Sequence, residues 1–153
     1  MSNSLPGGVL PSSVLFACSQ NSVRSPMAEA MAKRLYGHSS YIDSVGVRAL
    51  EVDNFAAAVL DEIGVDVHRH HAKTFEDVDP SSFDLIVTLS PEAHHRALDF
   101  TRNTATDVEY WPVPDATAVD GSRETRLQAY RQVRDLILQR LKARFGVPSG
   151  PTL

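Results

Sequence analysis

The chain has 153 residues, 42% hydrophobic and 22% charged, with a net charge of −4 and one cysteine. This is ordinary usage for one globular core; the acidic balance argues against a general nucleic-acid surface, and a lone cysteine excludes an intrachain disulfide and suits a reducing, cytoplasmic setting. No apolar run approaches the length of a membrane span, and Met1 to Ser13 has neither the basic start nor the apolar centre of a secretory signal, so no membrane partner is expected.

Residues 1–12 and 147–153 are rich in Pro, Gly and Ser and read as flexible tails, which leaves a single domain over 13–146. Its first element is Val14-Leu15-Phe16-Ala17, a short apolar run that reads as a buried strand. Directly after it comes Cys18-Ser19-Gln20-Asn21-Ser22-Val23-Arg24-Ser25, a thiol followed six residues later by an arginine and then a serine. Pro26 suits the first position of a helix over 26–36, where a missing N–H costs nothing; Met27, Ala30, Met31 and Leu35 recur at helical spacing until Gly37 ends it.

A thiol between a strand and a helix N-terminus faces unpaired N–H groups and the positive end of the macrodipole, both of which hold negative charge. Successive amides from Ser19 to Arg24 can form an anion nest, and the Arg24 guanidinium is forked to match two oxygens of a tetrahedral dianion. Ser25 can donate to a thiolate, and Asn21 tolerates the left-handed backbone that such nests need. Cys18 is thus a candidate nucleophile, Arg24 a candidate clamp, and Ser19, Gln20, Asn21, Ser22, Val23 and Ser25 the binding loop.

Further along, a strand is expected near 41–45, a helix over 54–63, a strand over 83–89, a helix near 91–99, a short strand near 107–110 and a long helix over about 123–145. In the last, Leu127, Tyr130, Val133, Ile137, Leu141 and Phe145 fall on one face, with Arg131, Arg134, Gln139 and Lys142 mostly off it. The alternation predicts an α/β fold, a three-layer sandwich in which a central four-stranded parallel sheet is flanked by helices. Ligands of such sheets sit beyond the carboxyl ends of the strands, where Cys18 lies.

Other polar residues are less directive. Asp115 follows Pro114 as turn aspartates often do, although the segment after Val108 and Tyr110 would bring it to the carboxyl edge. Arg48 is either a solvated loop charge or a cleft residue that favours an acidic substrate. His68 and His70 would share a face if they lay in a strand, but no cysteine or carboxylate set completes a metal site with them or with His71, His94 and His95. No metal and no cofactor is therefore expected; the histidines read as a solvated edge or as partners of local backbone groups, and Asp77 and Asp79 as loop charges.

The stretch from Val14 to Leu35 resembles the active-site segment of the low-molecular-weight protein tyrosine phosphatases and the related arsenate reductases, whose signature is Cys, five residues, Arg, Ser and usually Pro. Ser44-Val45-Gly46 with Asp53 to Asp66 is similar to the second strand and helix of the arsenate-reductase-like branch, Phe83 to Ser90 to the third strand, and Trp111-Pro112-Val113-Pro114-Asp115 to the loop that carries the family's general acid. The resemblance spans roughly residues 13–145. It implies a phosphomonoester hydrolase acting through a phosphocysteine, with Cys18, Arg24 and Asp115 catalytic, a phosphotyrosine protein or small aryl phosphate as substrate, and phosphate, vanadate or arsenate as oxyanion ligands. The sequence departs from the phosphatases at Ala116 and Thr117, where proline and aromatics usually follow the acid, and at 47–51, where an aromatic is usual. It departs from the thioredoxin-coupled reductases at Ser90, where they carry a resolving cysteine, so an arsenate reductase would need an external low-molecular-weight thiol. A third reading is a catalytically idle anion-binding module, which would keep the loop and need no acid.

Overall fold

The computed structural model describes residues 9–148 and 153. Four strands, β1 (Ser13–Cys18), β2 (Tyr41–Gly46), β3 (Leu85–Thr88) and β4 (Asp107–Tyr110), alternate with four helices, α1 (Arg24–Tyr36), α2 (Asn54–Asp61), α3 (Pro91–Phe100) and α4 (Arg123–Phe145). The sheet is parallel throughout, in the order β2-β1-β3-β4. This is the expected α/β three-layer sandwich.

Why the β1 run is continuously apolar follows from that order. A central strand covered on both faces has no polar side, and all six residues of β1 are buried. Val14, Phe16 and Cys18 face a core shared with α1, α2 and α4, whereas Leu15 and Ala17 face α3 through Ala93 and Ala97. The chain leaves β1 towards β2 on one side and returns to β3 on the other, so the order reverses at β1. The carboxyl end of β1, with Cys18 as its last residue, is therefore the switch-point crevice of the sheet.

Several boundaries move. Helix α1 starts at Arg24, so Pro26 is its third residue rather than its first; its missing N–H is still one of the four that lack an intrahelical acceptor. Helix α2 ends at Asp61, and Gly64 closes the following turn at φ 76°. In α4 the apolar stripe is buried except for half-buried Leu127, but Arg134 is buried with it. Its guanidinium donates to the Val59 carbonyl at 2.7 Å and to Glu62 at 2.8 Å, which satisfies a charge that the helical pattern placed towards solvent. The segment around His68 and His70 is loop, not strand. Asp77 and Asp79 cap the short 3-10 turns Phe75–Asp77 and Pro80–Ser82.

The tails expected at 1–12 and 147–153 fall largely outside the described residues. Of the remainder, the carbonyls of Val9, Pro11 and Ser12 accept from Arg144, Ser40 and Tyr41, and that of Leu153 accepts from Lys142. Among the described residues no helix is long and apolar enough to cross a membrane.

Candidate active site

The loop from Cys18 to Ser25 is shaped from outside. Its carbonyls at Cys18, Ser19, Gln20 and Ser22 accept from the backbone N–H groups of Val47, Arg48, Leu50 and Asp53 at 2.8–3.0 Å. In a trans peptide the N–H points opposite the carbonyl, so tying these carbonyls outward turns the amides of Ser19, Gln20, Asn21 and Val23 towards the concave side. Asn21 supplies the bend with φ 51°, the one positive φ among the described non-glycine residues. Gly46 makes the close approach possible: a Cβ there would stand 2.5 Å from the Asn21 amide nitrogen and 2.3 Å from the Arg48 carbonyl oxygen. Both are backbone atoms, so any side chain at 46 would displace the loop.

Cys18 is 2% exposed, and its Sγ sits at the base of the loop. The amides of Asn21 and Ser25 point at it from 3.3 and 3.4 Å, and Ser25 Oγ lies at 2.9 Å. The Ser25 hydroxyl also reaches the Val45 carbonyl at 3.2 Å. Its one proton can thus turn to that carbonyl when the sulfur is a thiol, or to the sulfur when it is a thiolate.

Behind the loop is a buried polar network. Asn21 Nδ2 donates to Ser25 Oγ and Ser44 Oγ, at 2.8 and 3.0 Å. Asn21 Oδ1 receives the Lys73 amide at 3.0 Å and faces His70 Nε2 at 3.1 Å. His70 Nδ1 faces Glu29 at 3.3 Å, and Glu29 also accepts from Ser44 and Lys33, each at 2.5 Å. His70 is therefore neither a solvated edge nor a backbone partner: its ring fills the gap between the loop asparagine and a carboxylate on α1. Burial pushes the Glu29 carboxyl up, but hydrogen bonds from His70, Lys33 and Ser44 outweigh it and hold the group down at about 2.

That depression has a sign. Glu29 titrates below its unfolded value, so its stabilisation is fully present above about pH 4.5 and is lost as pH falls towards 2, for about 3 kcal/mol at roughly 1.4 kcal/mol per unit. Denaturant unfolding of wild type and Glu29→Gln should show a gap of this order at neutral pH that closes on acidification. A gap independent of pH would contradict the assignment.

The open side of the loop is a cleft of about 180 Å³ lined by Cys18, Ser19, Gln20, Ser22, Val23, Arg24, Arg48, Asp115 and Thr117. Of the residues expected from sequence, Asn21 and Ser25 alone are not on its wall; both are fully buried behind it. A larger cleft of about 500 Å³, with His68, His70 and His71 on its wall, has neither a thiol nor a hydroxyl among its described lining residues. Among the described residues no three His, Cys, Asp or Glu side chains are grouped to hold a metal ion.

Asp115 reaches the cleft because the chain keeps pairing past β4: Trp111 N donates to the Thr88 carbonyl and Val113 N to that of Leu89. Buried Trp111 anchors this run against Phe16 and Phe145. Asp115 is a turn residue as well as a cleft residue. Its Oδ1 accepts from the Thr117 amide at 3.0 Å and hydroxyl at 2.6 Å, and among the described residues its Oδ2 has no hydrogen-bond partner. Arg24 joins the two loops, donating from one guanidinium nitrogen to the Val113 carbonyl at 3.0 Å.

Two rim features complete the site. Arg48 does reach the cleft, and its guanidinium meets Glu92 at 2.9 and 3.0 Å. Ser90 caps α3 and receives the Ser19 hydroxyl at 3.0 Å, so its own hydroxyl stands against the Cys18 loop. Sequence reading passed over Glu29, Ser44 and Thr117. Thr117 alone left a local signal, the Asp-x-Thr spacing of a capped turn.

The family model described as low molecular weight phosphotyrosine protein phosphatase matches residues 13–145. The chain is 31% identical over 131 residues to an arsenate reductase of Halalkalibacterium halodurans, covering 84% of this chain and 91% of that protein. In fold it is similar to the crystal structure of arsenate reductase from Archaeoglobus fulgidus, at 28% identity and TM-score 0.68 over 87% of this chain and 98% of that one. It is also similar to a tyrosine phosphatase from Escherichia coli K30 determined in complex with sulphate, at 22% identity and TM-score 0.74 over 87% and 95%.

Proposed function

The chain belongs to the low molecular weight phosphotyrosine protein phosphatase family, and on that premise we propose that it hydrolyses phosphomonoesters through a phosphocysteine. The observation that carries this reading is the placement of Asp115, with a free carboxylate oxygen, on the wall of the cleft that holds Cys18 and Arg24. Cys18 Sγ attacks phosphorus and the bond to the leaving oxygen breaks; protonated Asp115 gives that oxygen its proton. Arg24 and the inward amides hold the equatorial oxygens, whose charge they meet without reorganising. Water then attacks phosphorus, Asp115 takes its proton, and Sγ departs as a thiolate that Ser25 and the amides of Asn21 and Ser25 stabilise. The related E. coli phosphatase was determined in complex with sulphate, a tetrahedral oxyanion of the same shape as the phosphate, vanadate and arsenate that this loop would hold.

The name of the 31% identical relative favours a second reading, arsenate reduction. Ser90 cannot form a disulfide, so no relay runs within the chain. Sγ would displace water from arsenate, an external thiol would attack Sγ to give a mixed disulfide, the As–S electron pair would leave on arsenite, and a second thiol would free Cys18.

Purified protein given 4-nitrophenyl phosphate without thiol should release phosphate. No release, but arsenite from arsenate plus a low-molecular-weight thiol, would replace the first reading by the second. Phosphate binding with neither reaction would leave an anion-binding module.

A further inference from the structure

We propose that Arg48 forms a second anion subsite at the mouth of the cleft, selecting small phosphomonoesters whose leaving group carries a carboxylate. This rests on the reading of the Cys18 loop as the phosphoryl site. Among the described residues the wall has no aromatic ring, and about 180 Å³ falls below the range of pockets that enclose drug-sized ligands, so the site takes an oxyanion and a short substituent rather than a gripped phenyl ring. Besides Arg24, Arg48 is the only cation on that wall among the described residues. Its backbone is fixed there, since its amide donates to the Ser19 carbonyl at 2.8 Å and its own carbonyl packs on Gly46.

Glu92 shows which chemistry the guanidinium accepts, because its two carboxylate oxygens occupy two guanidinium nitrogens at 2.9 and 3.0 Å. A substrate carboxylate would present the same fork. Exchange is inexpensive. The two side chains are 54% and 47% exposed, and ion pairs that open to solvent contribute little. Glu92 also keeps a favourable setting when Arg48 leaves, because it is the second residue of α3, beside the positive end of that helix.

The test compares two non-hydrolysable probes of similar size, phosphonoacetate and propylphosphonate, by calorimetry. Wild type should bind phosphonoacetate about three- to fivefold more tightly. Arg48→Met should bring the ratio to one or below, and Glu92→Gln, which frees the guanidinium, should raise it. Because both probes are measured on one protein, a loss of folded fraction cancels from the ratio. A wild-type ratio near one, a ratio that survives Arg48→Met, or no binding of either probe overturns the subsite. If the ratios behave as expected but 4-nitrophenyl phosphate is not turned over, the hydrolase reading falls and the subsite stands; turnover with a flat ratio gives the reverse.

Discussion

Replacing Cys18 by serine is expected to reduce turnover of 4-nitrophenyl phosphate by about 10⁴-fold or more, because in the proposed mechanism a neutral hydroxyl would replace the attacking thiolate and the loop has no second thiol. The fold should be unaffected. A hydroxyl at that position finds the partners the sulfur has, namely the amides of Asn21 and Ser25 and the Ser25 hydroxyl, so no buried polar group is left unpaired. The inward amides and Arg24 are also untouched. Calorimetric binding of inorganic phosphate should therefore stay within a few-fold of wild type while kcat/KM collapses. Turnover within tenfold of wild type would mean that sulfur is not the nucleophile, and loss of phosphate binding would mean that Cys18 shapes the loop rather than acting from it.

What was legible in the sequence was what is local. The strand-loop-helix unit from Val14 to Tyr36 announces itself because its signals, an apolar run, a Cys-to-Arg spacing and a proline-started helical period, follow one another without a break in the chain. Asn21 was likewise legible, since its left-handed backbone depends on its own side chain. The support behind it was not. Asn21 meets Ser44 across 23 residues and His70 across 49, and no spacing rule connects positions that the sheet order brings together. Gly46 looked like any glycine at a strand end; its need for an absent Cβ arises only when the Cys18 loop lies against it. Arg134 shows the opposite failure. Helical periodicity counts charges as solvent-facing, yet a guanidinium that finds a helix-end carbonyl and a carboxylate can be buried with the apolar stripe.

Asp115→Asn separates the observed role of this residue in the turn from its proposed role as proton donor. Asparagine keeps an oxygen that can accept from the Thr117 amide and hydroxyl, so the turn survives the substitution and any kinetic change reports the lost proton transfer. For alkyl phosphates, whose leaving oxygen must be protonated as it departs, kcat/KM should fall by about 10²- to 10³-fold. For 2,4-dinitrophenyl phosphate, whose anion leaves unaided, kcat/KM should change by less than about tenfold, because that constant covers only steps through formation of the phosphocysteine. Steady-state kcat should nevertheless drop for the good leaving group as well. The second step needs the same carboxylate to take a proton from water, so dinitrophenolate should appear as a burst equal to the enzyme concentration, followed by slow turnover. A uniform loss across leaving groups, with no burst, would make Asp115 a brace for the loop and overturn its assignment as the acid.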